Sequence, residues 1–399
     1  MGSVRHLYVH LPFCAHRCGY CDFVTVVGRR GQHAAYVDAL LAELALERHV
    51  LANRVETVFL GGGTPTFTRV EELARLLDAL PEADEVTVEA NPETVTRELA
   101  GVLRSCAVSR VSIGAQSFRP RLLATLERRG SPASVRAAVH ALRDVGFDNI
   151  SLDLLYGIPG QSPADLDADL ADALALEPEH LSCYELEAKR GTRFAHAHGE
   201  ELARQAERME GYFERVVELL VAAGYRWYET SNFCLDPDHV DGRDLRARHN
   251  LAVWRGCDYL GIGIGAVSTI GGERRRNLPS LGRYLRALCT GSAPPREIES
   301  LDDDIRRRER LLLGLRLDEP VPLTEVGEAL DRSALARMEA LGLAERRMGE
   351  RGEELRLTPR GRFLGGAVTA ELLALPEVSS SRPEATAASS SRSVEATAA

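Results

Sequence analysis

Short apolar runs of strand length alternate with helical patterns through the first half of this sequence, and this alternation constrains the fold more than any other feature. Alternating apolar and polar residues are typical of strands, whereas apolar residues three and four positions apart are typical of amphipathic helices. Six such alternations predict a parallel sheet with helices packed on its outside. The predicted strands are 6–11, 55–60, 85–90, 110–114, 149–155 and 180–186.

Polar side chains recur where these strands end. Glu89 lies at the end of the third strand, Gln116 follows the fourth, and Asp153 lies near the end of the fifth. In βα barrels the residues of the functional site collect at the carboxyl ends of the strands. The sequence therefore predicts an α/β fold, and specifically an open or partial (β/α)6 barrel of the TIM type rather than a doubly wound sheet.

Three cysteines follow the first strand in the order C-x3-C-x2-C, at Cys14, Cys18 and Cys21. Three thiolates are one ligand short of a closed tetrahedral zinc site, whereas a 4Fe-4S cluster held by three cysteines keeps one iron open for another ligand. Two alternatives stand beside the cluster. His10 or His16 would complete a structural zinc site, or the grouping is accidental in a chain with eight cysteines.

The pattern changes after the barrel region, and we expect three parts. These are residues 1–290, the barrel with its C-terminal extension; residues 291–375, a small helical or winged-helix-like domain; and residues 376–399, a disordered tail of low complexity. Within the first part, the polar run 235–247 is expected to be an exposed, mobile loop. The glycine-rich run 259–266 indicates a close approach of backbone segments.

The composition argues against several classes of function. A formal charge of −10 disfavours sequence-independent nucleic-acid binding, which needs basic surface. No run approaches the ~18 apolar residues of a membrane span, and a basic-then-apolar signal sequence is not evident. We therefore expect a cytoplasmic protein whose other cysteines are packed thiols.

The residues around the cysteines resemble a known family. The string from Tyr8 to Cys14, with Cys21-Asp22-Phe23, is similar to the coproporphyrinogen III oxidase-like branch of the radical S-adenosylmethionine (SAM) superfamily. This resemblance implies that Cys14, Cys18 and Cys21 hold a 4Fe-4S cluster and that SAM binds its fourth iron. In the superfamily an electron from the reduced cluster cleaves SAM to a 5′-deoxyadenosyl radical.

The resemblance also implies which residues contact SAM. A glycine turn brings backbone close to a ligand because glycine has no side chain, and the run 61–65 is such a turn after a predicted strand. By similarity to the family, its residues contact SAM together with an acidic residue at the next strand end and with further side chains of the barrel. The implied residues are Tyr8, Tyr20, Gly62, Gly63, Thr64, Glu89, Gln116, Arg128 and Asp153.

His249 and Trp254 form the second group of candidate residues. A neutral imidazole is a good axial ligand for heme iron, and an indole ring offers a surface to a porphyrin face. Ordinary packing is the alternative for a histidine near a tryptophan. The segment resembles the H-N-x-x-Y-W motif of heme chaperones within the same branch, although Val253 stands where that motif has tyrosine.

These resemblances imply a heme chaperone that binds heme, a 4Fe-4S cluster and SAM, and delivers heme to respiratory apoproteins at the membrane, with a homodimer plausible from the family. The alternative is an oxygen-independent coproporphyrinogen III dehydrogenase, which converts propionates to vinyl groups by oxidative decarboxylation. That enzyme carries a further cysteine at the position of Phe23 and a longer N-terminal extension, and both differences favour the chaperone. A radical SAM enzyme acting on RNA is disfavoured by the acidic charge.

Overall fold

The structure is a computed structural model that describes residues 2–187, 189, 192–240 and 242–374. The chain forms two compact units. The first comprises the residues up to Ala252 together with Cys257–Ser300, and the second comprises Val253–Gly256 with the residues from Leu301 onward. The predicted tail, 376–399, lies outside the described residues.

Strands and helices alternate along the first unit as the sequence predicts. The strands are β1 (His6–Leu11), β2 (Phe13–Cys14), β3 (Val26–Val27), β4 (Val55–Gly62), β5 (Ala83–Ala90), β6 (Arg110–Gln116), β7 (Ile150–Tyr156), β8 (His180–Glu185), β9 (Tyr225–Trp227), β10 (Asn232–Leu235), β11 (Leu260–Ile262), β12 (Val267–Ile270), β13 (Glu273–Asn277), β14 (Arg296–Ser300), β15 (Val321–Pro322), β16 (Ala344–Gly349) and β17 (Gly352–Leu357).

The helices lie between these strands. They are α1 (His33–Glu47), α2 (Val70–Ala79), α3 (Arg97–Ser105), α4 (Pro120–Thr125), α5 (Pro132–Asp144), α6 (Pro163–Leu174), α7 (Arg193–Ala222), α8 (Arg248–Trp254), α9 (Leu281–Cys289), α10 (Asp303–Gly314), α11 (Leu323–Val326), α12 (Arg332–Ala340), α13 (Pro359–Phe363) and α14 (Gly365–Leu372).

In the described part of the first unit, the main sheet has nine strands in the order β11-β1-β4-β5-β6-β7-β8-β10-β9. The seven strands from β11 to β8 are parallel, and the β9–β10 hairpin adds two antiparallel strands beside β8. The six predicted strands are β1 and β4–β8, so the parallel α/β sheet is confirmed. The sequence did not predict β11, the seventh parallel strand, because it is only three residues long.

The central strands are buried on both faces, as expected where helices cover a parallel sheet. In β7 every residue except Asp153 is buried. Helix boundaries follow the local sequence: Ser131 and Ser162 each form a capping box at the start of α5 and α6, and each is followed by proline at the first helical position. These caps set the length of the connections and hence the position of the strand ends.

The polar run 235–247 is only partly the exposed loop that the sequence predicts. Leu245 and Ala247 are buried, so the prediction is wrong at the C-terminal end of this segment. The glycine-rich run behaves as expected. A Cβ placed on Gly261 would lie 2.1 Å from the Val267 carbonyl oxygen, which leaves room for glycine alone.

Smaller sheets complete the two units. Strands β12, β13 and β14 form an antiparallel sheet in the first unit. In the second unit, β15, β17 and β16 form an antiparallel sheet packed with helices around a core that includes Leu311, Leu335 and Leu355. Among the described helices, none has both the length and the apolar character that crossing a bilayer would require.

Candidate functional site

The loop that carries the three cysteines closes on the end of β1. The Val26 N–H donates to the Pro12 carbonyl at 2.8 Å, and the Gly28 N–H donates to the Cys14 carbonyl at 2.8 Å. These bonds pair β2 with β3, so the segment after the third cysteine lies beside the segment that contains the first. Cys14 is buried, while Cys18 and Cys21 are partly exposed, and all three are free thiols. The loop therefore presents its thiols at the carboxyl end of the parallel sheet.

His10 ties this loop to the barrel interior. Its Nε2 is 2.8 Å from the Val24 carbonyl oxygen, and its Nδ1 is 3.0 Å from the Tyr8 hydroxyl. Burial lowers the pKa of His10 to about 4, so the ring is neutral at physiological pH. Because both ring nitrogens are hydrogen-bonded, His10 does not offer the fourth ligand that the zinc alternative needs.

Within the described ranges, groups of three or more His, Cys, Asp or Glu side chains converging on one metal ion are not found. A 4Fe-4S cluster does not need side chains that converge on one ion, since each cysteine binds a different iron atom. The question for the cysteine loop is therefore whether its surroundings suit a cluster and a bound cofactor.

The glycine turn after β4 packs directly against the cysteine loop. The Gly63 N–H donates to the Leu11 carbonyl at 2.9 Å, and the Thr64 N–H donates to the Phe13 carbonyl at 3.0 Å. A Cβ on Gly63 would lie 2.5 Å from the Pro12 carbonyl carbon, and one on Gly62, at φ +108, would lie 2.4 Å from the His10 ring. The turn thus packs its backbone against the end of β1 beside the thiols, a close approach that only glycine allows.

A chain of polar side chains connects two of the cysteines. The Cys14 thiol is 3.4 Å from the Thr64 hydroxyl, which accepts from Asn91 Nδ2 at 3.0 Å. Arg128 Nη2 donates to Asn91 Oδ1 at 2.8 Å and to the Gly114 carbonyl at 2.7 Å, and its Nη1 is 3.6 Å from Cys18 Sγ. The guanidinium beside Cys18 would offset the negative charge of thiolate ligands in a cluster, so the donor set suits an iron-sulfur cluster.

Asn91 is a member of this site that sequence reasoning did not select. Its position in the sequence could have identified it. Asn91 lies two residues after Glu89 and directly before Pro92, at the end of a strand that supplies another site residue. Its amide bridges Thr64 and Arg128, two residues that the sequence did select.

Two carboxyl groups at this edge of the sheet, Glu89 and Asp153, are partly buried and interact electrostatically. Glu89 Oε2 accepts from the Gly62 N–H at 3.0 Å, and Asp153 accepts from the Ser112 hydroxyl at 3.1 Å. Burial, reinforced by Asp153, raises the pKa of Glu89 to about 8. Burial also raises the pKa of Asp153 to about 6, against the effect of its hydrogen bonds from Ser182 and Ser112. Carboxyl groups perturbed in this way are typical of functional sites, and a cationic ligand such as SAM would compensate their charge.

Gln116 has an unusual backbone at the end of β6. Its φ is +65, a left-handed conformation that costs a non-glycine residue energy. The following turn is held by Asp169, which accepts from the Ser117 hydroxyl at 2.7 Å and from the Phe118 N–H at 2.6 Å. A Cβ on Gly114 would lie 2.9 Å from Gln116 Nε2, so the side chain folds back over the strand end.

The two tyrosines lie near the cysteine loop. The Tyr8 ring stacks on Phe59 with centroids 6.1 Å apart, and the Tyr20 ring packs edge-on against Phe194 at 6.4 Å. Burial raises the pKa of both phenols, so each hydroxyl stays protonated. Of the residues assigned to the cluster and SAM, Tyr8 and Asp153 lie within β1 and β7, and the others lie on the strand ends and loops just described.

His249 lies elsewhere in the barrel. Its Nδ1 is 2.9 Å from the hydroxyl of Thr57, and its ring stacks on Phe59 with centroids 5.3 Å apart. Thr57 is near the start of β4, about 16 Å along the strand from Gly62 at its end. Burial lowers the pKa of His249 to about 3. The structure therefore places His249 toward the amino ends of the strands, apart from the cysteine loop.

Trp254 belongs to the second unit although it ends the helix that contains His249. The indole is buried, and the Arg316 guanidinium lies 5.9 Å from its ring centroid. The heme-related role of His249 and Trp254 stays a prediction.

Comparisons with known proteins agree with the geometry. The Radical SAM superfamily matches residues 8–173. The chain is 38% identical over 385 residues to a protein named heme chaperone HemW from Mycobacterium tuberculosis, covering 93% of this chain and 95% of the relative. It is 32% identical over 382 residues to a protein of the same name from Bacillus subtilis, covering 92% of this chain and 98% of the relative.

The fold has a solved counterpart. Coproporphyrinogen III oxidase (HemN) from Escherichia coli superposes with a TM-score of 0.76 and 23% identity, covering 93% of this chain and 90% of that chain. This likeness shows the fold, and the family implies a 4Fe-4S cluster and SAM; the three cysteine thiols, with Arg128 beside Cys18, fit such a cluster. Sequence identity over nearly the whole chain and the cysteine site together show that the protein belongs to the HemW family, within the coproporphyrinogen III oxidase-like branch of the radical SAM superfamily.

Proposed function

We propose that this protein is a heme chaperone, which binds heme as cargo, holds a 4Fe-4S cluster and SAM, and transfers heme to respiratory apoproteins at the membrane. The observation that carries this proposal is the similarity over 93% of the chain to a protein named heme chaperone HemW.

Cys14, Cys18 and Cys21 would hold the cluster. Burial raises the pKa of the Cys14 thiol to about 11, so this thiol keeps its proton until a metal displaces it. Arg128 supplies a positive charge at Cys18, and Thr64 offers a hydrogen bond at Cys14. When bound and reduced, the cluster supplies an electron to SAM.

SAM would lie between the glycine turn and the partly buried carboxyl groups. Glu89 and Asp153 offer acceptors for the cationic groups of SAM, and Gly62, whose N–H donates to Glu89, holds the turn beside them. Thr64, Gln116, Tyr8 and Tyr20 border the same region and would fix the orientation of the ligand. A binding titration with SAM measures the number of SAM molecules bound per chain.

His249 would ligate the heme iron through Nε2. Metal-bound histidines usually hydrogen-bond through their other ring nitrogen, and Nδ1 of His249 is hydrogen-bonded to Thr57. Burial keeps the imidazole neutral, the form that binds iron. Trp254 would supply an aromatic contact for the porphyrin. Because the His249 side chain is only 5% exposed, ligation requires a rearrangement around it.

An anaerobic hemin titration of cluster-reconstituted protein tests this function. We expect saturable binding near one heme per chain, seen in the heme absorption band, and weaker binding in His249→Ala. His140→Ala, which removes an exposed histidine, serves as the control and should bind as the wild type does. Loaded protein should then pass heme to a membrane-bound apoprotein. Absence of saturable binding would contradict the chaperone.

A second candidate function is oxidative decarboxylation of coproporphyrinogen III. The complete cysteine triad beside two partly buried carboxyl groups supports it, because a radical SAM enzyme needs a cluster and a shielded SAM site. Phe23, where the dehydrogenase has a further cysteine, counts against it. Vinyl-bearing product formed anaerobically with SAM and a reductant would favour this candidate.

Size-exclusion chromatography with light scattering tests the expected homodimer.

A further inference from the structure

Four consecutive residues before His249 have backbone groups bonded to buried side chains of the barrel. We call this segment, Leu245–Arg248, the strap. Arg110 Nη2 donates to the carbonyls of Leu245 at 2.6 Å and Arg246 at 3.1 Å. The Ala247 N–H donates to the Tyr228 hydroxyl at 3.2 Å, and the Arg248 N–H donates to Glu85 Oε1 at 3.0 Å.

The three side chains that hold the strap are almost inaccessible to solvent. Glu85 is 5% exposed, Arg110 is 1% exposed and Tyr228 is fully buried. They come from β5, from β6 and from the turn between β9 and β10, so three separate elements converge on one short segment. Loop backbone ordinarily bonds water, and buried side chains serve it here because Leu245 and Ala247 are themselves buried.

These side chains are themselves fixed. Arg110 Nε donates to Glu85 Oε2 at 3.4 Å. The Tyr228 hydroxyl accepts from Ala247, so its proton is directed to His180 Nε2 at 2.7 Å, and His180 Nδ1 in turn donates to the Ser151 hydroxyl at 2.8 Å. His180 accepts a hydrogen bond at one ring nitrogen and donates from the other, so it must be neutral. Burial together with Arg110 lowers the pKa of His180 well below its ordinary value, which agrees with this. The hydrogen bonds are thus mutually consistent.

The strap leads directly into His249. The imidazole is 5% exposed, is bonded to Thr57 and stacks on Phe59, so its ring lies against the sheet while the backbone before it stays in place. The residues on the other side of the strap, Gly242–Asp244, are exposed. Leu245 and Ala247 are therefore the buried residues of a segment that begins at the surface, where Arg243 pairs with Asp148 at 2.7 Å.

We propose that the strap is a gate for His249: Glu85, Arg110 and Tyr228 hold it, and with it the start of α8, against the sheet, and heme iron reaches His249 when these bonds release. This inference rests on the proposed function, because it concerns access to the candidate heme ligand. When a binding-competent conformation is a small fraction of the population, apparent affinity falls by that fraction. Loosening the gate therefore speeds heme association without adding a contact to heme.

The experiment compares Tyr228→Phe with Tyr225→Phe. Tyr228→Phe removes the hydroxyl that accepts from Ala247, whereas Tyr225→Phe removes a buried hydroxyl that donates to the Pro178 carbonyl, away from the strap. Glu85→Gln is a second variant that keeps the shape of the side chain and removes its charge. Hydrogen exchange of residues 245–249 and stopped-flow association of hemin are measured for each folded, cluster-reconstituted protein.

In Tyr228→Phe and Glu85→Gln we expect faster exchange in the strap and hemin association faster by about tenfold, the effect of one lost buried hydrogen bond. Tyr225→Phe should match the wild type in both measurements. Addition of hemin to the wild type should itself speed exchange in the strap.

Faster exchange with unchanged hemin association would overturn the gate while leaving the chaperone function intact. Unchanged exchange in both strap variants would also overturn it, because the three side chains would then not hold the segment. If hemin does not bind saturably to any of the proteins, the proposed function fails, and the gate fails with it.

Discussion

At the scale of single residues, the site depends on groups whose properties are set by burial. Glu89 is the clearest case, since its carboxyl group lies beside Asp153 inside the barrel and has one backbone donor, Gly62. A group of this kind keeps a proton in the folded protein at a pH where the unfolded chain has lost it. The consequence is a measurable dependence of stability on pH.

We predict that metal-free wild-type protein loses stability relative to Glu89→Gln as pH rises from about 5 to about 8. The folded pKa of Glu89 is raised to about 8 from 4.5, so the unfolded chain binds fewer protons in this window and folding weakens by about 1.4 kcal/mol per pH unit. Urea unfolding at several pH values measures this difference. Glu71→Gln, at a fully exposed carboxylate, should follow the wild type. Parallel pH profiles for wild type and Glu89→Gln would contradict the assignment.

A second prediction concerns the glycine turn. Gly62→Ala should destabilise the protein by about 3 kcal/mol and impair cluster incorporation, because Gly62 has φ +108 and the new Cβ would lie 2.4 Å from the His10 ring. Gly146→Ala is the matched control, since Gly146 has φ +89 and no atom within 4 Å of the new Cβ. The control should lose about 1 kcal/mol through backbone strain. Equal losses of stability for Gly62→Ala and Gly146→Ala in urea unfolding would show that the new Cβ at position 62 meets no steric conflict.

At the scale of elements, helices outside the sheet position residues within the site. Asp169 on α6 is the best example, because its buried carboxylate bonds the turn after β6 and thereby fixes the left-handed backbone of Gln116. Asp169 is the anchor and lies on α6, whereas the site residue Gln116 lies at the end of β6. Changing the anchor should therefore affect ligand binding without touching the ligand.

We predict that Asp169→Asn weakens SAM binding by about tenfold in cluster-loaded protein, because an amide is a weaker acceptor for the Ser117 and Phe118 donors and cannot pair with Arg119. Calorimetric titration with SAM measures the change. Asp167→Asn, at a half-exposed position on the same helix, is the control and should bind SAM normally. A normal affinity in Asp169→Asn would show that Gln116 does not depend on this anchor.

At the scale of the whole molecule, the cofactors should couple to stability through the first unit. We predict that SAM raises the Tm of cluster-loaded protein but not of Cys18→Ser, because ligand that binds only the folded state stabilises it and SAM needs the open iron. Iron analysis should give about four irons per chain in the wild type. Cys289→Ser, at an exposed thiol outside the loop, is the control. An equal SAM-induced shift in Cys18→Ser would place SAM away from the cysteine loop.

Much of this architecture follows from local patterns. The six central strands and the cysteine loop were predictable because strand and helix periodicities repeat over a few residues. The β9–β10 hairpin and β11 were not predicted, since they are only three or four residues long. Among the site residues, Asn91 and Asp169 escaped selection because each acts through a neighbour brought near by folding.

The sequence by itself determined the alternation of strands and helices, the thiol donor set and the glycine turn, because each is encoded within a few neighbouring residues. The tertiary structure alone decided that a polar loop is buried at Leu245 and Ala247. It also brought Arg110 to Leu245, 135 residues away, and His249 to Thr57, 192 residues away. Contacts at such separations leave no periodic trace in the chain, because they arise only when folding places distant segments side by side.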